Sequence, residues 1–388
     1  MHERSSLGFA LLNPTYTTAV RLYTGRKSCR RHNYKKDFMI KVLIVDDSAF
    51  MRNTLSSMLA SDPEIKIIGT ARNGLEAIEN VERLKPDIVT MDVEMPIMDG
   101  ISALKQIMEK NPVPVIMVSS ITSEGAKATL DALDLGAVDF IPKNLSDLSL
   151  NIVKIKEILI DKIKHIAKSD FAKKRTRPAT VSKSIETPKV MPVRTTGERR
   201  VNIVSIGSST GGPGALQSII PKLPKDFPVP VVIAQHMPPN FTRQFAERLN
   251  QLSKIRVKEA EDGEVVRQGV VLIAPGKGHM RVARRSGLEM VVRISEDKEG
   301  FTYRPSVDAL MSSVAEYFPG RSLGVILTGM GNDGIKGLTA MKKTGGRVFA
   351  QNEETCVVYG MPKAAVDAGI ADKVLPLEEI AGEIINSV

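Results

Sequence analysis

Between residues 40 and 165 the chain switches five times from a short apolar run to an amphipathic stretch, and few folds accept that alternation. The runs at 41–47, 65–71, 88–92, 115–119 and 138–141 are rich in Val, Ile, Leu and Met. Short, mostly apolar runs of this length read as buried strands, as in parallel sheets. Stretches such as 75–84, 101–108 and 151–168 carry apolar residues at helical spacing. Five βα units predict a doubly wound parallel sheet.

A second alternating pattern starts at residue 200. Strands are expected at 201–206, 229–235, 270–274, 280–282, 288–294 and 323–327, with a hairpin turn at Arg285-Ser286-Gly287. Helices are expected at 215–220, 242–252, 307–317 and from 338. Residues 169–199 lie between the two patterns and are rich in Lys, Arg, Thr, Ser and Pro, a composition that cannot bury a core. The expected organisation is a first α/β domain at 39–166, a flexible basic linker at 167–199 and a second doubly wound α/β domain at 200–388. Residues 1–38 lack periodicity and are expected to be a disordered extension, or to precede a true start at Met39.

The formal net charge of +10 does not describe a nucleic-acid-binding face. Residues 1–38 hold eight Lys or Arg against two acids, and 167–200 hold ten against three, which leaves the rest of the chain net acidic. The positive charge belongs to a tail and a linker, so no nucleic-acid partner is expected. No apolar stretch reaches the roughly 20 residues of a membrane span, so no direct insertion is expected. The two cysteines, Cys29 and Cys356, read as free thiols of a reducing cytoplasm.

The first domain places acids at strand ends. Asp46 and Asp47 end the first run and Asp92 the third, and ligands of open α/β sheets sit at the carboxyl ends of strands. Three converging carboxylates repel one another unless a cation neutralises them, and Mg²⁺ prefers such hard oxygens. Ser119 ends the fourth run with a hydroxyl, and Lys143 follows the fifth with a positive charge. In this arrangement the first domain resembles the receiver domain of two-component response regulators. The resemblance implies that Asp92, within Met91-Asp92-Val93-Glu94-Met95-Pro96, is the phosphorylated aspartate. It also implies that Asp46 and Asp47 hold the metal, that Ser119 and Lys143 contact the phosphoryl group, and that Phe140 is the switching aromatic. The pattern departs at Asn144, where such domains usually carry proline.

The second domain carries Gly207-Ser208-Ser209-Thr210-Gly211 between an expected strand and an expected helix. Glycines permit the sharp turn of a nucleophile elbow, and the helix start aims N–H groups at a developing oxyanion. A serine nucleophile needs a base and the base an orienting acid. His236 ends a strand on the same sheet edge, and Asp333 ends a glycine-rich loop after another strand. Ser209, His236 and Asp333 are therefore the expected catalytic residues. Thr210 and Met330 are expected at the oxyanion site, and His279 is expected to line the cleft. The order Ser…His…Asp is not that of the usual α/β-hydrolase. Neither Gly-x-Gly-x-x-Gly nor a P-loop occurs at 207–212, which removes the nucleotide readings.

From 40 to 386 the chain resembles the chemotaxis protein-glutamate methylesterases. Gln235-His236-Met237-Pro238-Pro239, Arg304-Pro305-Ser306-Val307-Asp308 and Leu327-Thr328-Gly329-Met330-Gly331-Asn332-Asp333-Gly334 carry that resemblance. It implies hydrolysis of glutamate γ-methyl esters on methylated chemoreceptors, release of methanol, and deamidation of receptor glutamines. It implies a chemotaxis histidine kinase as phosphodonor, Mg²⁺ in the receiver domain and no cofactor for hydrolysis. The residues themselves leave open an esterase or amidase with another partner, or a docking module whose hydrolase domain is inert.

Overall fold

The computed structural model describes residues 39–120, 122–143, 152–169, 201–287, 289–296 and 300–388. The expected extension at 1–38, nearly all of the linker and the peptide after Lys143 lie outside these residues.

The first sheet has the order β2-β1-β3-β4-β5, all parallel: β1 (Ile40–Val45), β2 (Ile65–Ala71), β3 (Ile88–Asp92), β4 (Val115–Ser119) and β5 (Asp139–Pro142). β3 and β4 are buried at every position, as strands sandwiched between helical layers must be. Helices α1 (Ala49–Leu59), α2 (Gly74–Leu84), α3 (Gly100–Lys110), α4 (Ser123–Asp134) and α5 (Ile152–Lys168) complete the domain. Ser48, Asn73, Asp99 and Thr122 cap the first four by accepting a first-turn N–H.

The second sheet is parallel throughout, in the order β14-β13-β12-β6-β7-β9-β8. Its strands are β6 (Ile203–Ser208), β7 (Val231–Gln235), β8 (Arg256–Glu259), β9 (Val270–Ile273), β12 (Ser322–Ile326), β13 (Arg347–Gln351) and β14 (Lys373–Leu375). The antiparallel pair β10 (His279–Ser286) and β11 (Glu289–Ser295) stands apart from it. Helices α6 (Gly212–Ile219), α7 (Pro239–Leu252), α8 (Val307–Tyr317), α9 (Ile335–Lys343), α10 (Met361–Asp367) and α11 (Leu377–Asn386) cover the sheet. β10 extends to Ser286 and so takes in two residues expected in the turn. β8, β13 and β14 were not legible as strands because each is short or carries charged residues at its ends.

Both sheets reverse direction beside their sites. In the first, the chain passes to opposite sides of the β1–β3 pair, and in the second of the β6–β12 pair. Loops leaving such a switch point diverge and open a crevice.

The two domains pack through α4, β5 and α5 of the first against α6, α7 and the loop at 353–359 of the second. One apolar cluster runs from Leu104 and Leu130 to Leu216 and Phe245. Another joins Leu159 and Ile163 of α5 to Val357 and Val358. At the rim Arg248 pairs with Asp131 at 2.6 Å and with Asp134. Gln217 Nε2 donates to Asp134 at 2.9 Å, and Gln244 Nε2 to the Ser123 carbonyl at 2.7 Å.

Candidate active and metal sites

On the first sheet, ligand oxygens of Asp46, Asp47 and Asp92 all lie within 4.8 Å of one another. Asp46 and Asp92 are buried, whereas Asp47 is exposed. Lys143 Nζ stands 2.5 Å from Asp92 Oδ2 and 3.1 Å from Asp46 Oδ2. Burial raises the Asp92 carboxyl to about 6 even though Lys143 opposes the shift. Asp46 Oδ1 accepts from Ser48 N at 2.9 Å, while its Oδ2 faces the Lys143 ammonium. Hard carboxylate oxygens clustered this closely fit a small divalent cation. Gly100 keeps this site accessible to its own backbone: a Cβ there would lie 1.9 Å from the Asp92 carbonyl oxygen.

Ser119 and Phe140 make their contacts with groups outside this cluster. Ser119 Oγ donates to the carbonyl of Gly125, at 3.1 Å, in the first turn of α4. Phe140 stacks on Phe241 of α7.

On the second sheet, Ser209, His236 and Asp333 follow β6, β7 and β12, three adjacent strands. His236 Nε2 and Asp333 Oδ2 are 2.7 Å apart. His236 Nδ1 is buried without a hydrogen-bond partner, and Ser209 Oγ makes no hydrogen bond among the described residues. The structure therefore joins His236 to Asp333 and leaves Ser209 Oγ unjoined to His236.

The elbow is built around Gln235. Its Nε2 donates to the carbonyls of Ser209 and His236, both at 3.0 Å, and its Oε1 accepts from Ser208 Oγ at 2.6 Å. One buried amide thus ties the backbone of Ser209 to that of His236. Gly211 takes a φ of +77°, and a Cβ on Gly212 would meet Gln235 Oε1 at 2.0 Å, so the turn requires both glycines. The N–H groups of Thr210 and Met330 donate to no acceptor among the described residues and are available to an oxyanion. Thr210 is buried, and its Oγ1 accepts from Lys162 Nζ of α5 at 3.4 Å. Met330 packs against the apolar cluster that includes Leu159 and Ile163.

Asp333 sits at the N-terminus of α8. It accepts from Ser306 Oγ and Asp308 N at 3.0 Å and from Val307 N at 2.8 Å. Burial alone would raise its carboxyl, but His236 and these N–H groups more than offset that and hold it below the ordinary value.

His279, expected to line the cleft, is buried beside Ser306. It opens β10, is 1% exposed, and its Nδ1 accepts from Ser306 N at 3.2 Å. It thereby holds the backbone of Ser306, the N-cap residue of α8. Tyr303, not anticipated, stacks on the His236 ring at 4.4 Å and 16°. Ser306 and Asp308 were visible only as parts of a motif; a serine followed by an apolar run was the available signal for the cap.

Residues 42–152 match the family described as response regulator receiver domain, and residues 204–384 match CheB methylesterase. The class is a response regulator whose output domain is a hydrolase. The chain belongs to the CheB methylesterase family. It is 49% identical over 368 residues to protein-glutamate methylesterase/protein-glutamine glutaminase 1 of Oleidesulfovibrio alaskensis, covering 90% of this chain and all of that one. It is 46% identical over 352 residues to the protein-glutamate methylesterase/protein-glutamine glutaminase of Pyrococcus horikoshii, covering 90% and 94% respectively. Among solved structures it is similar to the Thermotoga maritima CheB methylesterase catalytic domain, at 47% identity and a TM-score of 0.47, over 49% of this chain and all of that one.

Proposed function

We propose that the chain hydrolyses glutamate γ-methyl esters on methylated chemoreceptors to glutamate and methanol, and deamidates receptor glutamines by the same route. The observation that carries this reading is the His236–Asp333 pair at 2.7 Å, with His236 Nδ1 left buried and unpartnered beside the elbow. The bond to Asp333 assigns the proton to Nε2 and leaves Nδ1 as the base. Ser209 Oγ attacks the ester carbonyl and gives its proton to Nδ1. The Thr210 and Met330 N–H groups receive the oxyanion. The imidazolium returns the proton to the methoxide, methanol leaves, and water repeats the sequence on the glutamyl ester of Ser209. Asp333 stabilises the imidazolium throughout.

The receiver domain takes a phosphoryl group at Asp92 from a chemotaxis histidine kinase. Asp46, Asp47 and Asp92 would hold Mg²⁺, which when bound neutralises their charge and that of the phosphoryl oxygens. Lys143 contacts the phosphoryl group, and Ser119 and Phe140 respond to it. Before that event the receiver domain restrains the hydrolase, a reading supported by Lys162 on Thr210 and by Met330 packed beside α5. No helix among the described residues is long and apolar enough to cross a membrane. The site of action is the cytoplasm, on the receptors' cytoplasmic helices. The domain limits that go with this reading are 39–166 and 200–388, joined by the linker at 167–199.

The test is methanol release from methylated receptor, with and without a small phosphodonor and Mg²⁺. Stimulated release that is lost in both Asp92→Asn and Ser209→Ala supports the whole scheme. Phosphorylation without methanol in the unsubstituted chain would put the docking-module reading in its place.

A further inference from the structure

α8 and α9 begin side by side, and each is capped by an aspartate of the other. Asp333, two residues before α9, accepts from Val307 N and Asp308 N in the first turn of α8. Asp308, in that first turn, returns the interaction: its Oδ1 accepts from Gly334 N and Gly337 N, both at 3.0 Å. Asp308 is 8% exposed and bonds to neither Ser209 nor His236.

The loop that carries Asp333 turns on two glycines. Gly331 and Gly334 adopt φ of +74° and +104°. Glycines make such turns possible but do not fix them. The close approach of the two helix starts also depends on glycine, since a Cβ on Gly337 would lie 2.6 Å from Met311 Cβ. Asp333 is held through its carboxylate by Ser306, Val307 and Asp308, and the two N–H groups bound to one oxygen of Asp308 hold the backbone that follows, starting at Gly334, the residue next to Asp333.

We propose that Asp308 is a positioning residue for hydrolysis: it anchors the Asp333-Gly334 turn so that Asp333 Oδ2 stays in hydrogen-bond reach of His236 Nε2. This rests on the hydrolase reading above. Asp308 acts through Asp333 alone, and only its Oδ1 acceptor is needed. Asparagine offers that acceptor and alanine does not.

The experiment uses the full chain with Asp308→Ala, Asp308→Asn, Asp333→Ala and the double variant Asp308→Ala/Asp333→Ala. Two rates are read: phosphodonor-stimulated methanol release, and labelling of Ser209 by a fluorophosphonate, which needs no receptor. Asp308→Ala should lose about tenfold to a hundredfold in kcat and labelling with KM nearly unchanged, as for a misplaced catalytic group. Asp308→Asn should stay within about threefold of the unsubstituted chain, and Asp308→Ala should cost nothing further once Asp333 is Ala.

Full turnover in Asp308→Ala overturns the proposal. So does an Asn variant as poor as Ala, or an undiminished loss in the Asp333→Ala background. If Asp308→Ala fails to fold, Asp308→Glu decides: it keeps the charge and moves the acceptor by one methylene. Lost turnover at an unchanged melting temperature supports the proposal, and full turnover overturns it. An unsubstituted chain that labels at Ser209 but releases no methanol removes the receptor-ester reading and leaves Asp308 to be judged by labelling. A chain that does neither overturns both.

Discussion

Phe140, on the last strand of the receiver sheet, stacks on Phe241 at the start of α7, with ring centroids 4.5 Å apart and planes 14° from parallel. The residue that the receiver resemblance marks as the switching aromatic is thus held by the output domain. A stack of this kind contributes about 0.5–1.5 kcal/mol beyond its area. Breaking it should shift the balance between restrained and released hydrolase by a factor of roughly 2–10. Phe241 is fully buried, and truncation to Ala would cost about 3–5 kcal/mol, so Leu is the better probe. Phe241→Leu should raise methanol release without phosphodonor and shrink the stimulation by phosphodonor. Unchanged basal release would separate the stack from regulation.

Arg248 gives a second handle on the same interface. Its two ends pair with Asp131 and Asp134 of α4, and it is about a quarter exposed, so salt reaches it. Partly exposed pairs contribute about 0.2–1 kcal/mol each and are screened within a Debye length of about 8 Å at physiological ionic strength. Basal activity of the unphosphorylated chain should therefore rise with ionic strength. Arg248→Ala should begin at the higher level and respond less. A salt response unaltered by the substitution would place its origin elsewhere, for example in receptor binding.

Asp333 carries a prediction in pH. Its carboxyl is held below the ordinary aspartate value, so the folded chain binds that proton less readily than the unfolded chain does. The contribution to stability is complete above the unfolded value near 3.8 and is lost as pH falls through the folded value. Asp333→Asn removes this dependence. Urea midpoints should fall less between pH 5 and pH 3 in the variant than in the unsubstituted chain. At neutral pH the same substitution should reduce kcat about 10⁴-fold, since an amide cannot fix the imidazole tautomer or stabilise its charge. Equal acid sensitivity of both chains would mean that other carboxylates dominate acid unfolding.

Sequence reasoning placed most strand ends on the two sheets close to where they stand, and the candidate residues were chosen from those ends. Side chains that lie at the ends of neighbouring parallel strands must meet, and the apolar runs at 88–92 and 115–119 coincide with β3 and β4. What it missed lies off those ends. Tyr303 reaches His236 from a loop outside the sheet, and no periodicity reports a stack between residues so far apart in sequence. Asp308 looks like any acid in a first helical turn; its role appears only when α9 is seen beside α8. The burial of His279 was equally illegible, since the loop before it is itself mostly buried and its partner Ser306 lies far along the chain. The contact between the domains was invisible as well, since Asp131, Asp134 and Arg248 read as ordinary exposed helix charges.

Cys356 can report whether the domains separate. It is 2% exposed and lies beside the cavity between the loop at 353–359 and the end of α5, with Lys164, His165 and Lys168 across from it. Burial holds its thiol far above the ordinary value, so the nucleophilic thiolate is scarce while the domains are packed. The neighbouring Val357 and Val358 belong to the apolar cluster that includes Leu159 and Ile163. Withdrawal of α5 would wet this edge and lower the cost of ionisation. With Cys29, the other cysteine, replaced by Ser, alkylation by iodoacetamide should be slow and should quicken on addition of phosphodonor and Mg²⁺. Asp92→Asn should abolish the acceleration. If activity rises while alkylation does not, release of the hydrolase proceeds without opening at α5, and the contact of Lys162 with Thr210 becomes the place to look for a local rearrangement.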